Sequence, residues 1–499
     1  MNRSTRLFHR SFVFNALFGL EAGSMFLIDI ALAAALGLGA HSDILYAAWG
    51  LPHIIGRGAF QSLTNSLIGL FGEGADESSI FSQTLTVIGI VSFVAALFMS
   101  LTSRWWLPLS VPGASAEIRI EGTSLAAILA WLIAFLAVAE TQRAIYYRLG
   151  QNYIPSIARI TGAFASIALI ALATSKQDLM LAALGLVVGA ATEMVVCFAG
   201  LERMGQRFRF SWPQADELRR MVHVISLPLL GQGLVISAGI AERAIASYLG
   251  PGAVTAVAYA FRIFNVLERF IFRGFVISTI QAYASGIKGN WQRDTRLLVL
   301  IAIPIMVIFA TLSVPLISIA FERGRFNAES TQMVALALQA YAPAIPIIAL
   351  NRIPYAMAFA QTRSRELLIY AAIFSITLIS AEIAMVAAGL TLEAFGFAYT
   401  LGIALATLWI YPRVRIDEMR GMWSIKEVSR LLGAGLITLA GTAAIVYALQ
   451  QALAGWALAQ WVVVITGSIS SVLLLVSAAQ MLHLVDAGQL AYLFRGSRR

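Results

Sequence analysis

The sequence predicts an all-α, polytopic membrane protein of about 14 transmembrane helices. Three observations carry that prediction: composition, the recurrence of long apolar runs, and a lopsided distribution of basic residues. The chain has 499 residues, of which 59% are hydrophobic and 12% charged. A soluble domain carries roughly 25% charged residues. Apolar runs such as 80–101 and 179–201 are each long enough to cross a hydrocarbon core of about 30 Å as a helix.

Fourteen candidate spans begin near Ser11, Ile44, Ile80, Thr123, Tyr153, Leu179, Met221, Ala253, Leu297, Thr331, Leu367, Glu393, Leu431 and Trp456. The first apolar run is too long for the core of a signal peptide and lacks a cleavage-like end, so it is expected to stay as a span. An even number of spans puts both termini on one side. With Arg3, Arg6 and Arg10 in the cytoplasm, 22 of the 35 basic residues fall on that side and five on the other: Arg104, Arg119, Lys176, Arg323 and Arg325. Lys and Arg bias sets topology in this way, and it accounts for the net charge of +9 without nucleic acid.

The two longest basic connections follow spans six and twelve. They divide the chain into 1–210 (an N-lobe), 211–420 (a C-lobe) and 421–499 (two further spans and a tail). The first and seventh spans superpose at an offset of 213. "IDIALAAALGLGAHSDILYA" (28–47) meets "AERAIASYLGPGAVTAVAYA" (241–260) with eight of twenty positions identical. Leu36/Leu249, Gly37/Gly250, Gly39/Gly252 and Tyr46/Tyr259 are among the identities, and Asp29 falls on Glu242. Six spans separate the units, so the repeat is parallel. Its pseudo-two-fold axis runs along the membrane normal, with a midplane site expected between the lobes. Pro52, Pro155, Pro228, Pro304, Pro315, Pro343, Pro346 and Pro354 lie inside spans and are candidates for kinks.

Eight basic residues lie within or at the ends of spans, and all are arginine: Arg57, Arg143, Arg159, Arg243, Arg262, Arg269, Arg273 and Arg352. Each must face a wet cavity, pair with an acid or snorkel, because an arginine at the bilayer centre costs at least about 2.5–3.5 kcal/mol. Glu21, Asp29, Glu140, Glu193, Glu242, Glu268 and Glu382 are the acids within reach, and Glu140–Arg143 has local i,i+3 spacing. In "YAFRIFNVLERFIFRGF" (259–275), Arg262, Arg269 and Arg273 share one helix face. Three readings stay open for that stripe: snorkelling, an internal salt-bridge network with Glu268 or Asp29, or a cationic site for an anionic substrate. An always-charged planar fork suits phosphate. An amphiphile such as a lipid-linked sugar pyrophosphate would put its head in the cavity and its tail in lipid.

One cysteine, Cys197, rules out an internal disulfide and reads as a small core residue. No His/Cys metal spacing and no phosphate-cradling glycine loop is present, and the five histidines are dispersed. The chain therefore reads as a transporter and not an enzyme, with no cofactor. Coupling to membrane potential or to a monovalent cation is open, as is the oligomeric state, with a monomer expected.

Four segments resemble the MurJ/MviN family of the multidrug, oligosaccharidyl-lipid and polysaccharide exporter superfamily. They are "SDILYAAWGLPHIIGRGAF" (42–60), "YYRLGQNYIPSIARI" (146–160), "LGPGAVTAVAYAFRIF" (249–264) and "FERGRFNAEST" (321–331). The resemblance covers roughly residues 10–410. It implies fourteen helices in two lobes, and flipping of undecaprenyl-pyrophosphate-linked precursor, lipid II, across the inner membrane by alternating access. The acid after span one matches Asp43, the span-eight cavity arginine matches Arg262, and a span-two arginine matches Arg57. The chain departs from the family elsewhere. The two span-one cavity arginines align with Ala22 and Ile28, the acid before the span-eight arginine is Phe261, and span two lacks a helical turn and a glutamate.

The expected substrate-binding residues are thus Arg262, Arg57, Arg269, Arg273 and Asp43. Glu21, Asp29 and Glu242 are expected either to couple an ion or to balance charge. The expected function is a lipid-linked glycan flippase, for lipid II or an exopolysaccharide unit. The alternatives are a cation-coupled multidrug exporter of the same superfamily and a non-transporting membrane scaffold.

Overall fold

A computed structural model describes residues 3–60, 77–149, 151, 153–176, 178–266, 291–361, 363–414, 425–456 and 458–482. Among these residues every regular element is a helix. The order is α1 Arg3–Leu36, α2 Ala40–His53, a wide π turn Ile54–Ala59, α3 Glu77–Leu101, α4 Ser103–Ser110, α5 Ala116–Leu129, α6 Leu132–Arg148, α7 Tyr153–Lys176, α8 Leu179–Arg203 and α9 Ala215–Ala246. There follow α10 Ala253–Val266 and then α11 Trp291–Phe321, α12 Ala328–Tyr341, α13 Ala344–Ala360, α14 Ser364–Ala387, α15 Glu393–Ile410, α16 Ile425–Ala452 and α17 Ala459–Met481.

A helix stands at each of the fourteen places where the sequence predicts a span. Among the described residues nine helices meet the length and apolarity needed to cross a membrane, or up to ten if the bent pair α12–α13 is one span. That pair turns by 46° around Pro343, which has no N–H to continue the α12 ladder. The other four places are held by α1, α2, α9 and α10. The long members α1 and α9 carry interior charges such as Glu21, Asp29, Glu242 and Arg243, and α2 and α10 are short as described.

Large apolar side chains stand exposed along the helices, among them Phe98, Phe164, Val195, Ile376, Leu436 and Leu473. A water-soluble protein would bury such a belt, whereas a bilayer covers it. The chain is a multi-pass membrane protein. The sequence reading had no helix at α4. This element is too short to span, and it sets Arg104 over the Trp105 ring at 4.5 Å while Trp106 Nε1 donates to Met99 O at 2.8 Å.

The chain folds as two compact units. The first comprises Met1–Arg262 with Arg323–Ser330, and the second Ile263–Glu322 with Thr331–Arg499. In the first unit α9 packs against α2, the π turn and α4. In the second unit α16 and α17 pack on α11, where Ile303, Ala434, Leu475 and Ala478 form one buried cluster.

In the first unit, α7 and α8 approach through small residues. A side chain at Gly162 would meet the Gly189 carbonyl, and one at Gly189 would meet Ser166. Small residues at such a crossing let helix backbones come close in lipid. That closeness brings Arg159 of α7 within reach of Glu193 of α8.

Candidate functional site

The internal repeat is visible as contacts between its own equivalent residues. Ser42 and Thr255 are one offset of 213 apart, and their hydroxyl oxygens lie 3.2 Å apart. Tyr46 and Tyr259, separated by the same offset, meet edge-on with ring centroids 5.2 Å apart. Residues that touch their own equivalents lie beside a two-fold axis. Gly37 and Gly250, also equivalent, both take positive φ, 66° and 110°, a backbone turn that glycine adopts without penalty.

Farther from the axis two loops reach the ends of the long helices. Arg325 N donates to Ala34 O at 3.0 Å, and Gly113 N donates to Ser247 Oγ at 2.9 Å. Ala34 and Ser247 again differ by 213. Gly324 and Gly113 sit so close to the Ala34 and Ser247 carbonyls that a Cβ on either would collide. A glycine loop thus lies on the end of each long helix, Gly324 on α1 and Gly113 on α9. Each loop then caps a helix of its own, through Ser115 onto Ile118 N at 3.4 Å and Asn327 onto Ser330 N at 2.9 Å.

Asp43 acts as a helix cap supplied from another element. Its carboxylate accepts from Gly252 N at 2.7 Å, Thr255 N at 2.8 Å and Thr255 Oγ1 at 2.7 Å. These groups open α10, where unsatisfied N–H donors and the helix dipole favour an anion. These contacts of the Asp43 side chain hold α2 to α10.

Beneath this clasp stands Arg262. Its Nη1 donates to Asp29 Oδ1 at 2.6 Å and Oδ2 at 2.8 Å. Tyr46 Oη donates to Asp29 Oδ1 at 2.9 Å. The guanidinium lies over Trp49 at 4.1 Å and beside Tyr46 at 5.5 Å from the ring centroids, a cation–π arrangement. The Arg262 side chain is 27% exposed and Asp29 3%. Of the readings open for the stripe, the salt bridge to Asp29 is therefore formed, and part of the Arg262 side chain stays exposed. Arg269, Arg273 and Glu268 lie outside the described residues.

A second charge cluster fills the interior of the first unit. It joins Glu21 of α1, Arg57 of the π turn, Glu140 and Arg143 of α6, Arg159 of α7 and Glu193 of α8. Arg57 reaches Glu140 at 2.9 Å and Glu193 at 2.7 Å. Arg159 pairs with Glu21, with Glu140 at 2.6 Å and with Glu193 at 3.2 Å. Arg143 reaches Glu21 at 3.3 Å, and its local partner Glu140 at 3.8 Å. Ser156 Oγ donates to Glu21 Oε2 at 2.8 Å.

Three guanidinium groups thus face three carboxylates, which is how ionised side chains persist inside a membrane protein. Arg57 belongs to this network and does not meet Arg262. Gly56 makes its placement possible by lying against the Leu132 carbonyl, where a side chain would not fit. The sequence names all six residues as in-span charges and joins only Glu140 to Arg143. Of the remaining predicted residues, Glu242 makes none of the hydrogen bonds of either cluster, while its neighbour Arg243 donates to Gly239 O at 3.0 Å and lies against Gly50. The interior arginines of the first unit's network, Arg57, Arg143 and Arg159, are each matched by acids.

Comparison with known proteins agrees with this architecture. The profile of the family described as Lipid II flippase MurJ matches residues 32–467. The chain is 24% identical over 379 residues to the "Probable lipid II flippase MurJ" of Rhizobium meliloti (strain 1021), covering 70% of this chain and 69% of that protein. It is 23% identical over 353 residues to the protein of the same name from Vibrio cholerae, covering 63% and 65%. Among solved structures, an inward closed conformation of lipid II flippase MurJ superposes with a TM-score of 0.79 at 15% identity, covering 94% of this chain and 98% of that one. An inward-facing multidrug resistance MATE transporter of the MOP superfamily gives 0.64 at 15% identity, covering 82% and 96%. The match over most of the chain makes this chain a member of the MurJ lipid II flippase family.

Proposed function

We propose that this protein is a flippase for an undecaprenyl-pyrophosphate-linked glycan, lipid II or an exopolysaccharide unit. It works in the inner membrane by alternating access of the 1–210 and 211–420 lobes, with both termini cytoplasmic and 421–499 as an appended pair. Arg262 is its phosphate contact. One observation carries the reading: an always-charged guanidinium in mid-span, stacked on Trp49, pinned by Asp29 and still 27% exposed. An arginine kept within a span and only partly covered suits an anionic head group. Asp43 serves by holding α2 to α10, and Arg57 by tying the π turn into the interior network.

The exporter alternative requires an acid able to take a cation. Glu21, Asp29, Glu140 and Glu193 each face an arginine instead, which leaves Glu242 as the acid that alternative would use. Expression in a flippase-depleted bacterial strain tests the proposal. The wild-type chain should restore growth or polymer export, while Arg262→Ala should insert and accumulate normally yet fail to do so. Equal rescue by Arg262→Ala would defeat it, and drug resistance without rescue would favour the exporter.

A further inference from the structure

In the Arg262 cluster the acid lies behind the cation. Asp29 spends both oxygens on the single nitrogen Nη1 and is fixed from the far side by Tyr46. Trp49 covers one face of the guanidinium. Nε and Nη2 make no hydrogen bond to any described residue, and they form one edge of the fork. That edge matches two oxygens of a phosphoryl group. Arg57, Arg143 and Arg159 offer no comparable edge, being shared among three carboxylates.

An arriving phosphoryl group would therefore add opposite Asp29 and need not replace it. Arg262 would then lie between two anions. We infer that Asp29 is a resident counter-anion that weakens the hold of Arg262 on a phosphoryl group and so sets how fast that group leaves. The inference rests on the proposed function, since it concerns the same arginine. A carrier must bind its cargo and also let it go, and release limits many cycles of this kind.

The size of the effect follows from geometry. Across a guanidinium, carboxylate and phosphate charges are about 6–7 Å apart. Their repulsion at effective dielectric constants between about 80 and about 20 corresponds to roughly three- to seventyfold in affinity. A residue that merely propped up the fold would give no tightening at all on neutralisation.

The test uses the full chain, with undecaprenyl pyrophosphate titrated in detergent and translocation of a lipid-linked glycan pyrophosphate followed in proteoliposomes. Asp29→Asn and the smaller Asp29→Ser should both bind roughly three- to seventyfold tighter, release the lipid correspondingly more slowly, and translocate more slowly than wild type. Asp29→Glu should return affinity toward the wild-type value. If wild type binds, Arg262→Ala does not, and the neutral Asp29 variants bind no tighter than wild type, the inference alone is overturned. If neither neutral variant yields monodisperse protein, Asp29 is structural and the inference is likewise overturned. If Arg262→Ala binds as wild type does, the functional reading falls, and this inference with it.

Discussion

Replacing Arg159 by Met is the sharpest perturbation of the interior network. The side chain is 12% exposed and touches Glu21, Glu140 and Glu193, which are 6%, 1% and 5% exposed. Methionine keeps much of the volume and removes the charge. Three carboxylates would then face only Arg57 and Arg143. A unit charge pair about 4 Å apart is worth about 4 kcal/mol at an effective dielectric constant of about 20. Breaking a buried pair by deleting one partner costs about 3–5 kcal/mol, because the surviving charge is left uncompensated. At roughly 2 °C per kcal/mol for a unit of this size, the apparent melting temperature in detergent should fall by about 6–10 °C. The companion variant Arg159→Met with Glu193→Gln restores two cations against two anions. It should recover at least half of the loss, with a coupling energy above about 1.5 kcal/mol in a double-mutant cycle. A melting temperature for Arg159→Met within about 2 °C of wild type would refute the network as a stabilising unit.

Other substitutions report on the repeat axis and on the arginine stack. Asp43→Asn should lower stability by about 1–2 kcal/mol, read as a thermal shift, because the α10 N-terminus keeps its donors but loses a charged acceptor. Ser42→Cys with Thr255→Cys, whose hydroxyl oxygens lie 3.2 Å apart, should cross-link under oxidation and halt translocation, with reductant restoring it. Continued transport by the cross-linked protein would show that this clasp never opens. Gly324→Ala should destabilise by about 1–3 kcal/mol, since the position takes φ of 61° and abuts the Ala34 carbonyl. Trp49→Ala should weaken binding of undecaprenyl pyrophosphate about threefold or more, while Trp49→Phe, which keeps an aromatic face, should lose less.

The helices and the repeat were legible in the sequence because each leaves a local mark. Apolar runs of sufficient length can be counted, and the Leu-Gly-x-Gly-Ala turn recurs at both places with Gly37 and Gly250 both at positive φ. The repeat even names contacts, since equivalent residues such as Tyr46 and Tyr259 meet at its axis. Pairing inside the lobe was not legible. Arg57 and Glu193 are 136 positions apart, and the local pair Glu140–Arg143 turned out to be its longest contact, at 3.8 Å. Composition demanded that in-span charges be paired but could not assign the partners. Asp43 shows a further limit: an acid at a span boundary reads equally as a ligand or a cap, and only the approach of Gly252 and Thr255 chooses between them. The short helix α4 left no periodic trace long enough to find.

The central claim is that Arg262 meets the phosphate of a lipid-linked glycan during transport. The most direct measurement is the flipping of a fluorescent undecaprenyl-pyrophosphate-linked glycan in proteoliposomes by wild type and Arg262→Ala at matched incorporation. Wild type should move the lipid and Arg262→Ala should fall to the protein-free rate. Equal rates from the two proteins would contradict the claim.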